Sequence, residues 1–177
     1  MSAVIAPAKV DVLVFDPAKC TGCGRCALAC SLRTFKVMNP AFSAIRVVRL
    51  DHEPVDAAIY CQQCGLCIDA CPEKAIYRDP KTFAVIIDRA KCKGLNTCNL
   101  CAAVCPIGAI NFDPIEHKAF KCDLCGGNPN CVRFCPTGAL KFVKAEKAAY
   151  IKSVYAARLH RLEIGRTMIP YPRRVMP

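Results

Sequence analysis

The sequence predicts an α+β protein of short helices and short β-hairpins, folded around four groups of cysteines more than around one large apolar core. Three observations carry that expectation. All sixteen cysteines of the 177 residues fall into four groups of four. The segments between groups are short runs of β-branched and aromatic residues broken by Asp-Pro and Asn-Pro turns. Few long apolar periodic stretches precede residue 144.

The groups are Cys20, Cys23, Cys26 and Cys30; Cys61, Cys64, Cys67 and Cys71; Cys92, Cys98, Cys101 and Cys105; and Cys122, Cys125, Cys131 and Cys135. A C-x2-C-x2-C run offers three thiolates from one tight loop to three corners of a 4Fe-4S cubane. In bacterial ferredoxins a fourth cysteine, three residues on and followed by proline, ligates the other cluster of the pair. That cysteine is expected to start a helix. The second group matches throughout and ends in Cys71-Pro72. The third and fourth each enlarge one loop, between Cys92 and Cys98 and between Cys125 and Cys131, and close with Cys105-Pro106 and Cys135-Pro136. In the first group Ser31 stands where the proline would be, which weakens a helix-start signal and removes no ligand.

Two other uses of cysteine fit less well. Cysteine is about 9% of the chain, the level of a small disulfide scaffold, but the chain is long for that class. Residues 1–9 also lack the basic and apolar regions of a secretion signal. Structural zinc prefers pairs of C-x2-C arms, not triplets with a detached fourth ligand.

The formal charge of +11 would ordinarily point to nucleic acid or an acidic partner. Each loaded cubane with its four thiolates adds roughly −2, so the oxidised protein falls to about +3. Residues 1–143 hold 17 Lys and Arg against 12 Asp and Glu, whereas residues 144–177 hold 8 against 2. A basic tail therefore leaves a mildly acidic loaded body, which argues against nucleic acid binding. No stretch approaches the roughly 18 to 20 apolar residues of a membrane span. Thiolate-bound clusters suit a reducing compartment, so the expected location is cytoplasmic.

Taken in order, Val10 to Phe15 reads as a strand feeding the first cysteine loop. Ala27 to Val37 reads as a helix closed near Asn39-Pro40, and Ile45 to Leu50 as a second strand. Ala75-Ile76-Tyr77, the turn Asp79-Pro80-Lys81-Thr82 and Phe83 to Ile87 form a hairpin. A shorter copy runs from Ala109 to Phe112, turns at Asp113-Pro114 and returns through Ala119-Phe120. The repeating unit is strand, cysteine loop, short helix, strand. These elements make residues 1–143 one domain. Beyond it, Ala148, Ile151, Val154, Tyr155, Leu159 and Leu162 recur at helical spacing, Gly165 supplies a stop, and three prolines turn the rest into an extended arm. The tail at 144–177 either covers this protein's own surface or embraces a neighbouring subunit.

The wording of Cys20-Thr21-Gly22-Cys23-Gly24-Arg25-Cys26-Ala27-Leu28-Ala29-Cys30-Ser31, of Asn39-Pro40-Ala41-Phe42-Ser43, and of Lys121-Cys122-Asp123-Leu124-Cys125-Gly126-Gly127 with Cys131 and Cys135-Pro136-Thr137-Gly138-Ala139-Leu140 resembles the four-cluster ferredoxin-like electron-transfer subunits of molybdenum and tungsten oxidoreductases. Within them it looks most like the small subunits of tungsten aldehyde oxidoreductase and benzoyl-CoA reductase complexes. The resemblance implies tandem, nested bacterial-ferredoxin-like units. Cys20, Cys23 and Cys26 would then share a cluster with Cys135, and Cys122, Cys125 and Cys131 with Cys30. Cys61, Cys64 and Cys67 would join Cys105, and Cys92, Cys98 and Cys101 would join Cys71. The hairpin between Cys71 and Cys92 favours pairing groups two and three independently, while the second hairpin leaves a sequential pairing of groups three and four open.

No catalytic residue is expected. None of His52, His117 and His160 sits in a cysteine loop, no glycine-rich phosphate loop occurs, and every cluster site is closed by four thiolates. Closed sites exchange electrons, not ligands. Amides of Gly22, Gly24, Gly65, Gly94, Gly126 and Gly127 are expected either to tune the cluster sulfurs or simply to permit tight turns. The expected function is an electron-transfer subunit relaying single electrons between a tungsten or molybdenum catalytic subunit, an aldehyde oxidoreductase first, and a flavoprotein or ferredoxin. The alternatives are a free-standing polyferredoxin shuttle, the corresponding subunit of a formate dehydrogenase or hydrogenase, and self-association through the C-terminal arm.

Overall fold

A computed structural model describes residues 10–49 and 56–155. Its described strands form four two-stranded antiparallel ribbons. β1 (Asp11–Phe15) pairs over its whole length with β8 (Leu140–Lys144), so the chain before the first cysteine group lies beside the chain after the fourth. β2 (Arg46–Val48) pairs with β3 (Ala57–Ile59). β4 (Ile76–Arg78) pairs with β5 (Val85–Ile87), and β6 (Asn111–Phe112) with β7 (Ala119–Phe120).

Period-two alternation explains the long ribbon. Leu13, Phe15, Leu140 and Phe142 face a core that also holds Ile45, Tyr60 and Leu124. Val12, Val14 and Val143 face the other way, against Ala148, Ile151 and Tyr155. Those last residues lie on a helix that starts at residue 145 and continues through residue 155. The first part of the expected amphipathic helix therefore covers the protein's own ribbon. The remainder of the helix and the arm lie outside the described residues.

The two predicted hairpins turn in the same way. Asp79 accepts at Oδ2 from the Thr82 amide at 2.9 Å, and Asp113 accepts at Oδ1 from the Ile115 amide at 2.8 Å. Phe83 and His117, four residues after each aspartate, both take left-handed backbone angles, φ 60° and 57°.

Two helix expectations are corrected. α1 spans Arg25–Phe35, not Ala27 to Val37, and it carries both Cys26 and Cys30. α2 (Leu66–Asp69), α3 (Leu100–Ala103) and α4 (Asn130–Arg133) end before the fourth cysteine of their groups instead of starting from it. Proline at the second position of a turn explains this. The Lys74 amide bonds to the Cys71 carbonyl at 3.2 Å, Gly108 to Cys105 at 3.2 Å and Gly138 to Cys135 at 3.3 Å, so each Cys-Pro pair opens a turn. Where Ser31 replaces proline the helix runs on. Ser31 is fully buried, its hydroxyl donating to the Leu28 carbonyl at 3.0 Å and accepting from the Asn39 amide at 3.3 Å. The second strand is also shorter than its sequence pattern, ending at Val48, and Leu50 lies outside the described residues.

Candidate metal centres

No cysteine is in a disulfide, and each group places its third cysteine on a helix, with Cys26, Cys67, Cys101 and Cys131 all buried. Cys23 and Cys64, the second residues of the first two groups, are exposed. Left-handed glycines at Gly24 (φ 72°) and Gly65 (φ 94°) immediately precede α1 and α2, swinging the chain from loop into helix.

Three of the four fourth cysteines lie beside a group other than their own. Cys135 lines one cavity with Cys20, Cys23 and Cys26, walled by Phe15, Ala58 and Leu140. Cys71 lines another with Cys92, Cys98 and Cys101, walled by Ile76, Ile87 and Ala119. Cys30 lies near enough to Cys122, Cys125 and Cys131 to raise each of their thiols. Cys61 and Cys64 act likewise on Cys67, while Cys105 packs with Cys67 and Cys101 in the second core.

Burial dominates the chemistry of these thiols. It pushes Cys26 and Cys101 up to about 11 and Cys122 to about 12, and raises Cys131 further still. Cys135 moves the other way. Burial raises it, but the Leu140 amide, the Thr137 hydroxyl and the Ala139 and Thr137 amides outweigh that and lower it. The turn after each Cys-Pro makes such a cradle, for the Ala109 amide donates to Cys105 Sγ at 3.2 Å. The Gln63 amide donates to Cys61 Sγ at 3.4 Å, and the Gly22 amide lowers Cys20. These donors favour thiolate, the form that binds iron.

The donor set fits 4Fe-4S clusters. It is all sulfur, with apolar walls and amides aimed at sulfur. Among the described residues no three Cys, His, Asp or Glu side chains converge on a point that would hold a single ion. His117 is exposed at the β6–β7 turn, and His52 and His160 lie outside the described residues.

Residues 56–145 match a family model described as a 4Fe-4S dicluster domain, and residues 12–33 match a 4Fe-4S binding domain. The chain belongs to the 4Fe-4S dicluster family. Within this family of iron-sulfur proteins it is 37% identical over 122 residues to the aliphatic sulfonate oxidoreductase, polyferredoxin-like subunit, of Pyrococcus furiosus, covering 68% of each chain. It is 31% identical over 176 residues to the thiosulfate reductase electron transfer subunit of Salmonella typhi, covering 88% of this chain and 87% of that one. A solved structure, the active site complex BamBC of benzoyl coenzyme A reductase as isolated, aligns with a TM-score of 0.45 at 25% identity over 76% of each chain.

The structure adds donors that the glycine expectation did not single out. The amides of Ala109, Ala139 and Leu140 follow the Cys-Pro turns, and the repeated C-P-x-x-A wording was their signal. Among the described residues no helix is long and apolar enough to cross a membrane.

Proposed function

We propose that this chain is a non-catalytic electron-transfer subunit that relays single electrons through four 4Fe-4S clusters between a tungsten- or molybdenum-cofactor catalytic subunit and a flavin-containing or ferredoxin acceptor. One observation carries the reading: all sixteen cysteines fall into four groups of cluster-binding spacing and none is in a disulfide, and among the described residues no other reactive constellation accompanies them. A bound cubane accepts and releases one electron without changing its ligands.

The nested assignment gives one quartet as Cys20, Cys23, Cys26 and Cys135 and a second as Cys122, Cys125, Cys131 and Cys30. The third is Cys61, Cys64, Cys67 and Cys105, and the fourth is Cys92, Cys98, Cys101 and Cys71. The two cysteine-lined cavities and the pairing of β1 with β8 support it. Electrostatic influence between the quartets supports a linear order. Cys26 of the first acts on Cys131 of the second, Cys61 of the third on Cys122 of the second, and Cys67 of the third on Cys101 of the fourth. Exposed Cys23 and Cys64 mark places where an electron can enter or leave.

The named relatives, subunits of an aliphatic sulfonate oxidoreductase and of a thiosulfate reductase, support a catalytic partner over a free-standing shuttle. Anaerobic purification of the natively expressed protein tests this. The expected result is a complex containing about sixteen irons per copy of this chain, plus tungsten or molybdenum. A lone 19.3 kDa species with full iron would instead make it a shuttle.

A further inference from the structure

Among the described residues, one cation is buried. Lys121, between β7 and Cys122, is only 6% exposed. Its Nζ donates to the Val85 carbonyl, to the Cys122 carbonyl at 3.1 Å and to Gln63 Oε1 at 3.3 Å. An ammonium carries three N–H groups and no acceptor, so three oxygens satisfy it. Gln63, in the loop of the second cysteine group, is itself fixed there. Its side-chain amide donates to the Cys122 carbonyl at 3.0 Å, and its Oε1 accepts from the Val85 amide at 2.8 Å. The second group, β5 and the start of the fourth group meet at this one charge.

Burying an ammonium is costly unless an opposite charge compensates. Among the described residues, no carboxylate forms an ion pair with Lys121. Its bonded neighbours belong instead to two cysteine groups: Gln63 lies between Cys61 and Cys64 of the second, and Cys122 opens the fourth. In the nested assignment these groups supply different quartets. Lys121 thus stands at the junction between them.

We propose that Lys121 is a positioning residue for electron transfer, whose buried ammonium, fixed by Gln63, raises the reduction potentials of the two clusters flanking the central junction and makes that junction the place where a transferred electron rests. The proposal rests on the relay reading above. A fixed cation favours the form of a neighbouring site that holds one more electron, and low surrounding polarity strengthens the effect. The electron comes from the donor protein and passes to the acceptor, so Lys121 itself exchanges nothing.

Lys121→Met keeps the length of the side chain and removes its charge. In an anaerobic dithionite titration followed by electron paramagnetic resonance, two of the four one-electron couples should fall. Each should fall by tenfold or more in equilibrium constant, about 59 mV for one electron, while the other two stay. Lys121→Arg, which keeps the charge, should bring both back toward the wild-type values. Gln63→Glu leaves the lysine and sets a carboxylate against it. It should lower the same two couples, and it replaces the methionine variant if that variant does not retain its iron. Four unmoved couples, or a shift shared equally by all four, overturns the proposal. Wild-type protein with far fewer than about sixteen irons overturns the relay reading first, and iron analysis tells the two failures apart.

Discussion

The half of the molecule that carries the first and fourth cysteine groups is built like an ordinary small domain, whereas the half that carries the second and third is a thin shell. In the first, two five-residue strands pair end to end and are covered on both faces, and an eleven-residue helix packs beside them. In the second, the helices have four residues and the strands two or three. Its core is Cys67, Ile76, Val85, Cys101, Ile110 and Ala119, so two of its six buried members are thiols. The shell half has little apolar surface to bury apart from its cysteines. Its cohesion depends on metal coordination, as in small metallo-domains whose binding free energy is also folding free energy.

Residue 31 separates the two designs. Prolines at 72, 106 and 136 end a short helix and open a turn, whereas Ser31 lets α1 continue past Cys30 to Phe35. That extra length brings Phe35 against Phe120 of the other half, ring centroids 4.9 Å apart. Ser31→Pro should give the largest loss, about 3 kcal/mol or more, because proline removes an interior helical N–H and clashes with the preceding turn. Pro106→Ser should cost under about 1 kcal/mol, acting mainly on the unfolded chain. Thermal melts of the iron-loaded variants measure both. Equal losses would erase the distinction drawn here.

The shell half was the more legible from sequence. Its hairpins are local, and an Asp-Pro turn between alternating residues specifies them within about a dozen positions. The domain-like half depends on a pairing between Asp11 and Lys144 at opposite ends of the described chain, which no local pattern announces. Leu140 to Lys144 does alternate, yet only the fold shows that it is the partner of β1. The four cysteine groups were readable because their spacing is local, with Cys-Pro as punctuation. Lys121 was not readable. It reads as a surface charge beside a motif until Gln63, 58 positions away, is seen to bond it.

Arg89 joins the two halves and gives the intermediate effect. It follows β5, pairs with Asp113 at 2.5 Å and Glu116 at 2.9 Å, and lies 4.8 Å over the Phe35 ring of α1. Arg89→Ala should cost about 2 kcal/mol, since the buried Asp113 carboxylate loses its cation but keeps the Ile115 and Glu116 amides. Burial raises Asp113, yet those amides and Arg89 together hold it below the ordinary carboxylate range. A depressed carboxylate stabilises the fold above its unfolded value of about 3.9 and loses that contribution as pH falls through the lower folded value. Without Arg89 the folded value rises toward the unfolded one, so Asp113 contributes less at neutral pH and the variant loses less stability on acidification. An equal loss on acidification in the variant would show that the two amides alone hold Asp113.

The smallest expected effect compares the two enlarged cysteine loops. Gly94, in the loop between Cys92 and Cys98, has φ 82°, and a Cβ there would lie 2.9 Å from the His117 carbonyl oxygen. That oxygen is already in use, accepting from the Leu95 amide at 2.7 Å, so the loop is clamped to the β6–β7 turn. Gly126, in the loop between Cys125 and Cys131, has φ 66° but no atom within 4 Å of the same position. Alanine at either site takes on the left-handed strain, about 1 kcal/mol. Only Gly94→Ala must also push a backbone away, so it should be the worse by roughly 1 kcal/mol. It should also release iron from the shell half more readily, because Cys92 and Cys98 flank the clamped segment. Iron release to a chelator, followed for both variants under anaerobic conditions, makes the comparison. Faster release from Gly126→Ala would mean that the clamp at His117 does not govern the loop.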